Sequence, residues 1–276
     1  MKKHALLVGI NNYSKINDLQ GCINDVTNVR SILKTYFGYT NSDIRVLTDD
    51  RATKKNILDR LEKMVIDSKS GDSLIFHFSG HGSQIRDREG DELNDHMDEL
   101  ICPCDMNWDD GFITDDMLRA ILDQLPKGVK MEILLDSCHS GTGTREFGPG
   151  SFEGFGESCF ANDRYARPPV DIECRIQGDE DKLKPVRAFR TDTEIILNHV
   201  LWAGCKDNQT SADAEIEGRY NGAFSYYFCK HIRESRGIIT RSELHTRVRN
   251  SLAYNHYSQI PQLECKDELK TGNIFS

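Results

Sequence analysis

The amino-acid sequence predicts an α/β fold built on a mostly parallel central sheet of at least five strands. Short apolar runs alternate with amphipathic segments, the signature of repeated βα units. The chain has 276 residues, enough for one substantial domain with its own core. Its composition, 38% hydrophobic and 29% charged, is that of an ordinary soluble protein.

The elements follow in order. Residues 4–10 form a first buried strand, and residues 22–36 a helix with Val26, Val29, Ile32 and Leu33 along one side. Residues 43–47 are a short second strand, and 53–68 a helix with Thr53 as N-cap. Residues 73–79 are a third strand that ends at Gly80-His81-Gly82. The acidic stretch 84–98 reads as a solvated loop, followed by a short strand at 100–102 and a helix at 115–124. Residues 129–135 form a fourth strand, ending at Asp136-Ser137-Cys138-His139. From Gly141 to about Arg190 no periodicity is sustained, and Gly, Pro, Ser and charges dominate. Loops of this length usually have a function of their own or stay disordered. A fifth strand at 199–204 and helices at 224–232 and 240–253 close the chain. The expected organisation is a single domain over 1–276, divided into 1–141, a long loop at 142–195, and 196–276.

Bulk properties narrow the function. No apolar run reaches the roughly 18 residues of a membrane span, and the first apolar run is too short for a signal-peptide core. The expectation is a cytoplasmic protein. Nine scattered cysteines argue against a disulfide framework. A formal charge of -9 disfavours nucleic acid as a partner. Gly9-Ile10-Asn11-Asn12-Tyr13 carries no phosphate-binding fingerprint, so no nucleotide or other organic cofactor is expected.

Ligands of doubly wound sheets bind beyond the carboxyl ends of the strands. Two reactive residues stand there: His81 after the third strand and Cys138 after the fourth. A thiol attacks a carbonyl as its thiolate, so it needs a base or an electropositive setting. Imidazole, with an ordinary pKa near ~6.5, can take a proton and return it. The oxyanion that forms needs fixed donors. Gly82, lacking Cβ, allows its N–H a close approach, and the N–H of Cys138 is the natural second donor. Other readings stay open at this point. Each residue alone could be a buried core residue. His77 with His81 could hold a metal, Cys102-Pro103-Cys104 has the look of a ligand pair, and His139 competes with His81 as base.

Longer motifs carry a resemblance. Phe78-Ser79-Gly80-His81-Gly82 and Leu135-Asp136-Ser137-Cys138-His139-Ser140-Gly141 resemble the histidine and cysteine boxes of caspase-like peptidases. The whole is most similar to type I metacaspases and their bacterial metacaspase-like (orthocaspase) relatives. Leu19-Gln20-Gly21-Cys22-Ile23-Asn24-Asp25-Val26, Asp98-Glu99-Leu100-Ile101-Cys102-Pro103-Cys104-Asp105 and Gly204-Cys205-Lys206-Asp207-Asn208-Gln209-Thr210-Ser211-Ala212-Asp213 extend it to nearly the whole chain except 142–195. The resemblance implies a caspase–haemoglobinase fold and peptide-bond hydrolysis, with Cys138 as nucleophile and His81 as general acid/base. It implies a first-subsite pocket lined by Cys22, Asp25, Ser79 and Asp136. Two carboxylates there favour a guanidinium or ammonium, hence cleavage after Arg or Lys.

The same resemblance implies calcium at Asp98, Asp115 and Asp116, hard oxygen donors of the type Ca2+ prefers. The expected fourth acid is missing from Gly141-Thr142-Gly143-Thr144-Arg145-Glu146, where only Glu146 could replace it. Arg145, Arg164, Arg175, Arg187 and Arg190 lie in the long loop, where a basic-specific peptidase could cut itself. Protein or peptide substrates with Arg or Lys before the scissile bond are therefore the expected partners, and a monomer is expected over a dimer. The competing reading from another class is a catalytically silent caspase-like interaction module. A receiver-like or nucleotide-binding domain fits the strands but lacks a phosphate loop.

Overall fold

The computed structural model describes residues 1–86, 97–138, 162–172, 199–206 and 209–276; of Arg86, Met97, Asp98 and Asn162 it describes the backbone alone. Five parallel strands form most of the main sheet: β1 (Lys3–Gly9), β2 (Ile44–Thr48), β3 (Ser73–Ser79), β7 (Lys130–Asp136) and β9 (Val200–Ala203). A short strand, β12 (Gln262–Glu264), pairs antiparallel with β9 and completes the order β12-β9-β7-β3-β1-β2. The order reverses at β1, which pairs with both β2 and β3. The mostly parallel α/β sheet expected from the sequence is thus present, with one antiparallel edge strand added.

Successive strand residues face opposite sides, so each strand serves two cores. Ala5, Leu7, Ile75 and Leu134 belong to one core, together with α1 (Cys22–Tyr36), α4 (Ala223–Glu234) and α5 (Arg241–Tyr254). Leu6, Val8, Phe76, Phe78 and Ile133 belong to the other, against α2 (Lys54–Ile66) and α3 (Asp115–Leu122). Helix α1 buries Val26, Val29, Ile32 and Leu33, each contributing about 1.5–3 kcal/mol. Thr53, Thr114 and Thr240 cap α2, α3 and α5, each accepting from the backbone N–H three residues on. Glu132 is a buried acid in the middle of β7. Its carboxylate is satisfied by Arg241, Trp202 Nε1 and the Phe275 N–H, which ties the C-terminus to the sheet.

Two small antiparallel sheets stand near the carboxyl ends of the main strands. One joins β4 (Gly82–Arg86), β5 (Met97–Ile101) and β6 (Ile113–Thr114). This corrects the two ends of the loop expected over 84–98, whose middle, 87–96, lies outside the described residues: Ile85 is buried against Leu100 and Phe112, an apolar contact hidden in a charged stretch. The other joins β8 (Asn162–Asp163), β10 (Ala212–Ile216) and β11 (Arg219–Gly222). Its hairpin was not expected, and β8 lies inside the stretch that shows no periodicity. The last helix, α6 (Asp267–Lys270), is a single turn.

Candidate active site

The carboxyl ends of β1, β3 and β7 meet at one point, flanked by α1 and β10. Asp25 from α1, Ser79 from β3, Asp136 from β7 and Asp213 from β10 are all fully buried there. Between them lies the side chain of Arg164, also fully buried. Its Nη2 is 2.8 Å from Asp25 Oδ2 and 2.9 Å from Asp213 Oδ1, and its Nη1 is 3.4 Å from Asp136 Oδ1. Nη1 also donates to Ser79 Oγ and to the Asp136 carbonyl. Cys22, at the start of α1, hydrogen bonds Ser79 and has its thiol pushed up to about 12 by burial. Cys22, Asp25, Ser79 and Asp136 therefore surround one guanidinium.

Each carboxylate is held from behind. Asp25 accepts from the Gly222 N–H and from Ser79 Oγ. Asp136 accepts from Ser211 Oγ and the Ser225 N–H, and Gln259 in turn donates to Ser211 Oγ. Asp213 accepts from the N–H groups of Gln20 and Gly21. Burial pushes the Asp25 carboxyl up to about 7; Arg164 pulls against this, and the charge of Asp136 adds to it. Gly222 leaves room for this crowding. A Cβ there would stand 2.2 Å from Asp136 Oδ2 and 2.5 Å from Arg164 Nη1.

The backbone of Arg164 is held as closely as its side chain. Its carbonyl oxygen accepts from the Gly82 N–H at 3.0 Å and the Cys138 N–H at 3.3 Å. Its N–H donates to the Ser211 carbonyl at 3.1 Å. Upstream, β8 pairs antiparallel with β10, Asp163 opposite Ala212. Downstream, Tyr165 bridges Gly82, and Ala166 donates to the Gly82 carbonyl at 2.8 Å. Residues 162–166 thus lie extended across the site with one carbonyl on two backbone donors.

The Cys138 thiol is buried beside that carbonyl. It accepts from the Ser211 N–H and donates to the Ser211 carbonyl at 3.3 Å. It also hydrogen bonds Cys205, whose thiol is held above its ordinary value by that contact first and by burial second. The His81 ring donates from Nε2 to the Asn17 carbonyl, at 2.7 Å, when neutral with its proton there. Its Nδ1 is buried with no hydrogen-bond partner among the described residues. Burial draws the imidazole below its ordinary pKa; Asn17 and the nearby Arg164 backbone oppose this, and the Arg164 charge adds to it. Tyr13 steadies the ring, accepting from the His81 N–H at 2.9 Å and packing with ring centroids 5.0 Å apart.

Other sequence expectations fare differently. His77 lies mid-strand with both ring nitrogens buried and without a hydrogen-bond partner among the described residues, and burial lowers it to about 4. Among the described residues, no three His, Cys, Asp or Glu side chains converge to hold a metal. Asp115 and Asp116 share Arg119 at 3.4 and 3.2 Å, and one Asp115 oxygen is buried without a hydrogen-bond partner among the described residues. These two carboxylates are far short of a calcium shell. The side chain of Asp98 lies outside the described residues, as do His139, Arg145, Glu146, Arg175, Arg187 and Arg190. Sequence reasoning did not single out Asp213, Ser211, Gln259, Tyr13 or Asn17 for roles at the site. Their positions depend on the β10–β11 hairpin, on the loop after β1 and, for Gln259, on the segment between α5 and β12, none of which periodicity signals.

The family model described as "Metacaspase, peptidase C14 domain" matches residues 3–145. Metacaspase-1 of Ajellomyces capsulatus is 34% identical over 99% of this chain and 82% of its own length. Metacaspase-1 of Pyricularia oryzae is 35% identical over 99% of this chain and 74% of its own length. Among solved structures, a protein of Geobacter sulfurreducens superposes with a TM-score of 0.70 at 23% identity, covering 100% of this chain and 99% of its own. Caspase-1 of Spodoptera frugiperda superposes with a TM-score of 0.58 at 13% identity, covering 96% and 86%.

Proposed function

The chain belongs to the metacaspase family of C14 cysteine peptidases, and from that premise we propose that it cleaves peptide bonds after arginine or lysine, with Cys138 as nucleophile and His81 as acid/base. One observation carries this reading. Arg164 lies across the site as a substrate would, its guanidinium among three buried carboxylates and its carbonyl on the N–H groups of Gly82 and Cys138. An acidic side chain in that pocket would meet three like charges, whereas a cation offsets them.

The chemistry follows from the groups present. His81 Nδ1, its lone pair free while Nε2 is bound to Asn17, takes the Cys138 proton. The thiolate sulfur bonds to the carbonyl carbon, and the oxyanion is held by the Gly82 and Cys138 N–H groups. His81 returns the proton to the departing amide nitrogen as the C–N bond breaks, leaving a thioester on Cys138. Water, deprotonated by the same imidazole, then releases the acid and restores the thiol. A Cβ on Gly82 would stand 2.1 Å from the Cys138 carbonyl oxygen, so only glycine lets the two donors come together. No step is routed through calcium; Asp98, Asp115 and Asp116 are the residues that would hold it.

In the resting conformer the thiol is bonded to Ser211 and Cys205, so attack on Arg164 requires it to turn. Segment 162–166 is then a bound internal substrate that both fills the site and is its first target, at the Arg164–Tyr165 bond. Intact-mass measurement of wild type and Cys138→Ala, with and without calcium, tests this. A wild-type break after Arg164 that Cys138→Ala lacks supports the reading; a break elsewhere, or none under either condition, removes the internal-substrate assignment.

A further inference from the structure

We propose that the site extends past the scissile bond to a closed subsite that selects a small apolar residue at the second position after the cleaved arginine. This deepens the arginine-peptidase reading and rests on it. With Arg164 before the bond and Tyr165 after it, Ala166 is the second residue on the leaving side. Its backbone is gripped at both ends: its N–H donates to the Gly82 carbonyl at 2.8 Å, and its carbonyl accepts from Ser83 Oγ at 2.6 Å. The residue is 4% exposed, and its side chain packs with Cys102 and Met106, residues exposed by 0% and 1%. Tyr13, Ile16 and Trp108 complete the apolar rim.

The floor of this subsite is tied to the catalytic histidine. The Cys102 N–H donates to the His81 carbonyl at 2.9 Å, and Met106 closes a turn onto the Pro103 carbonyl. A guest bound there is therefore in register with His81 and with the donor N–H of Gly82. The neighbours are not enclosed in this way: Tyr165 is half-buried and Arg167 is exposed. Selection falls on the second position. A larger side chain must displace two buried, packed residues, and a charged one must shed its water into an apolar pocket.

The test uses quenched peptides of the form Asn-Asp-Arg-Tyr-X-Gly, with X as Ala, Gly, Val, Leu, Phe or Asp, cut by the wild-type chain. The subsite predicts kcat/KM for Ala about tenfold or more above Leu, Phe and Asp. Met106→Ala, or Trp108→Ala at the rim, should shift the preference toward Leu. A profile flat within about twofold overturns the proposal. A coumarin reporter ending in Arg, with nothing after the bond, separates the two claims. If the reporter is cut and the profile is flat, the subsite alone fails; if neither reporter nor peptides are cut, the arginine-peptidase reading fails with it.

Discussion

Arg164 and Asp25 form an ion pair of 2.8 Å with both side chains fully buried, although 139 residues separate them in sequence. One comes from a helix that the sequence announces plainly, the other from a stretch with no periodicity. Their meeting gives the active-site reading its content, because the pair marks both what the pocket holds and which bond lies against Cys138.

Removing the guanidinium should expose the cost of three carboxylates in a dry pocket. Arg164→Ala is expected to lose about 3 kcal/mol of stability, read by urea unfolding. Millimolar agmatine, which carries a free guanidinium, should restore part of this in the variant and change wild type little. Equal response of the two proteins would mean that the pocket does not select the cation.

Asp213 is the pocket acid that strand-end reasoning did not single out. Asp213→Asn keeps an acceptor for Gly21 but removes one charge facing the cation. For arginine reporters KM should rise roughly ten- to a hundredfold, from a charge-assisted hydrogen bond of about 1.5–3 kcal/mol, with kcat little changed. A fall in kcat alone would place Asp213 elsewhere in the reaction.

Gly222 tests the geometry without touching charge. Its Cβ would collide with both Asp136 and Arg164. Gly222→Ala should cut turnover of arginine reporters by about a hundredfold or more, while circular dichroism shows the helices intact. Near-normal turnover would contradict the packing of the pocket.

The pH response of stability should carry the mark of His77. Its folded pKa is about 4, lowered by burial, against about 6.5 when unfolded. Above about 6.5 both states are neutral at this site and it makes no pH-dependent contribution. As pH falls from about 6.5 toward 4, the unfolded chain binds a proton that the folded chain refuses, and stability declines. His77→Leu should flatten the fall of Tm across that window; an unchanged slope would assign the fall to other groups.

The parallel sheet was legible because its main strands are short, mostly apolar runs, and the helices between them have clear faces. Leu6 and Leu7 illustrate this: adjacent residues serve opposite cores, so the run shows no gap. His81 and Cys138 were legible as candidates because they stand where two such runs end. The rest depends on contacts distant in sequence. Ile85 meets Leu100 across a charged stretch, and Asp213 reaches the pocket only because β10 folds back from β11. Arg164 was one arginine among several in an irregular segment. Its distinction is burial against Asp25, Asp136 and Asp213, and no local pattern encodes that.

The most direct test of the account compares short fluorogenic peptides ending in Arg, Lys and Asp, using wild type, Cys138→Ala and His81→Ala. The account predicts turnover after Arg and Lys, none after Asp, and loss of about a thousandfold or more in either variant. Turnover after Asp alone, or Arg turnover that survives in Cys138→Ala, would contradict it.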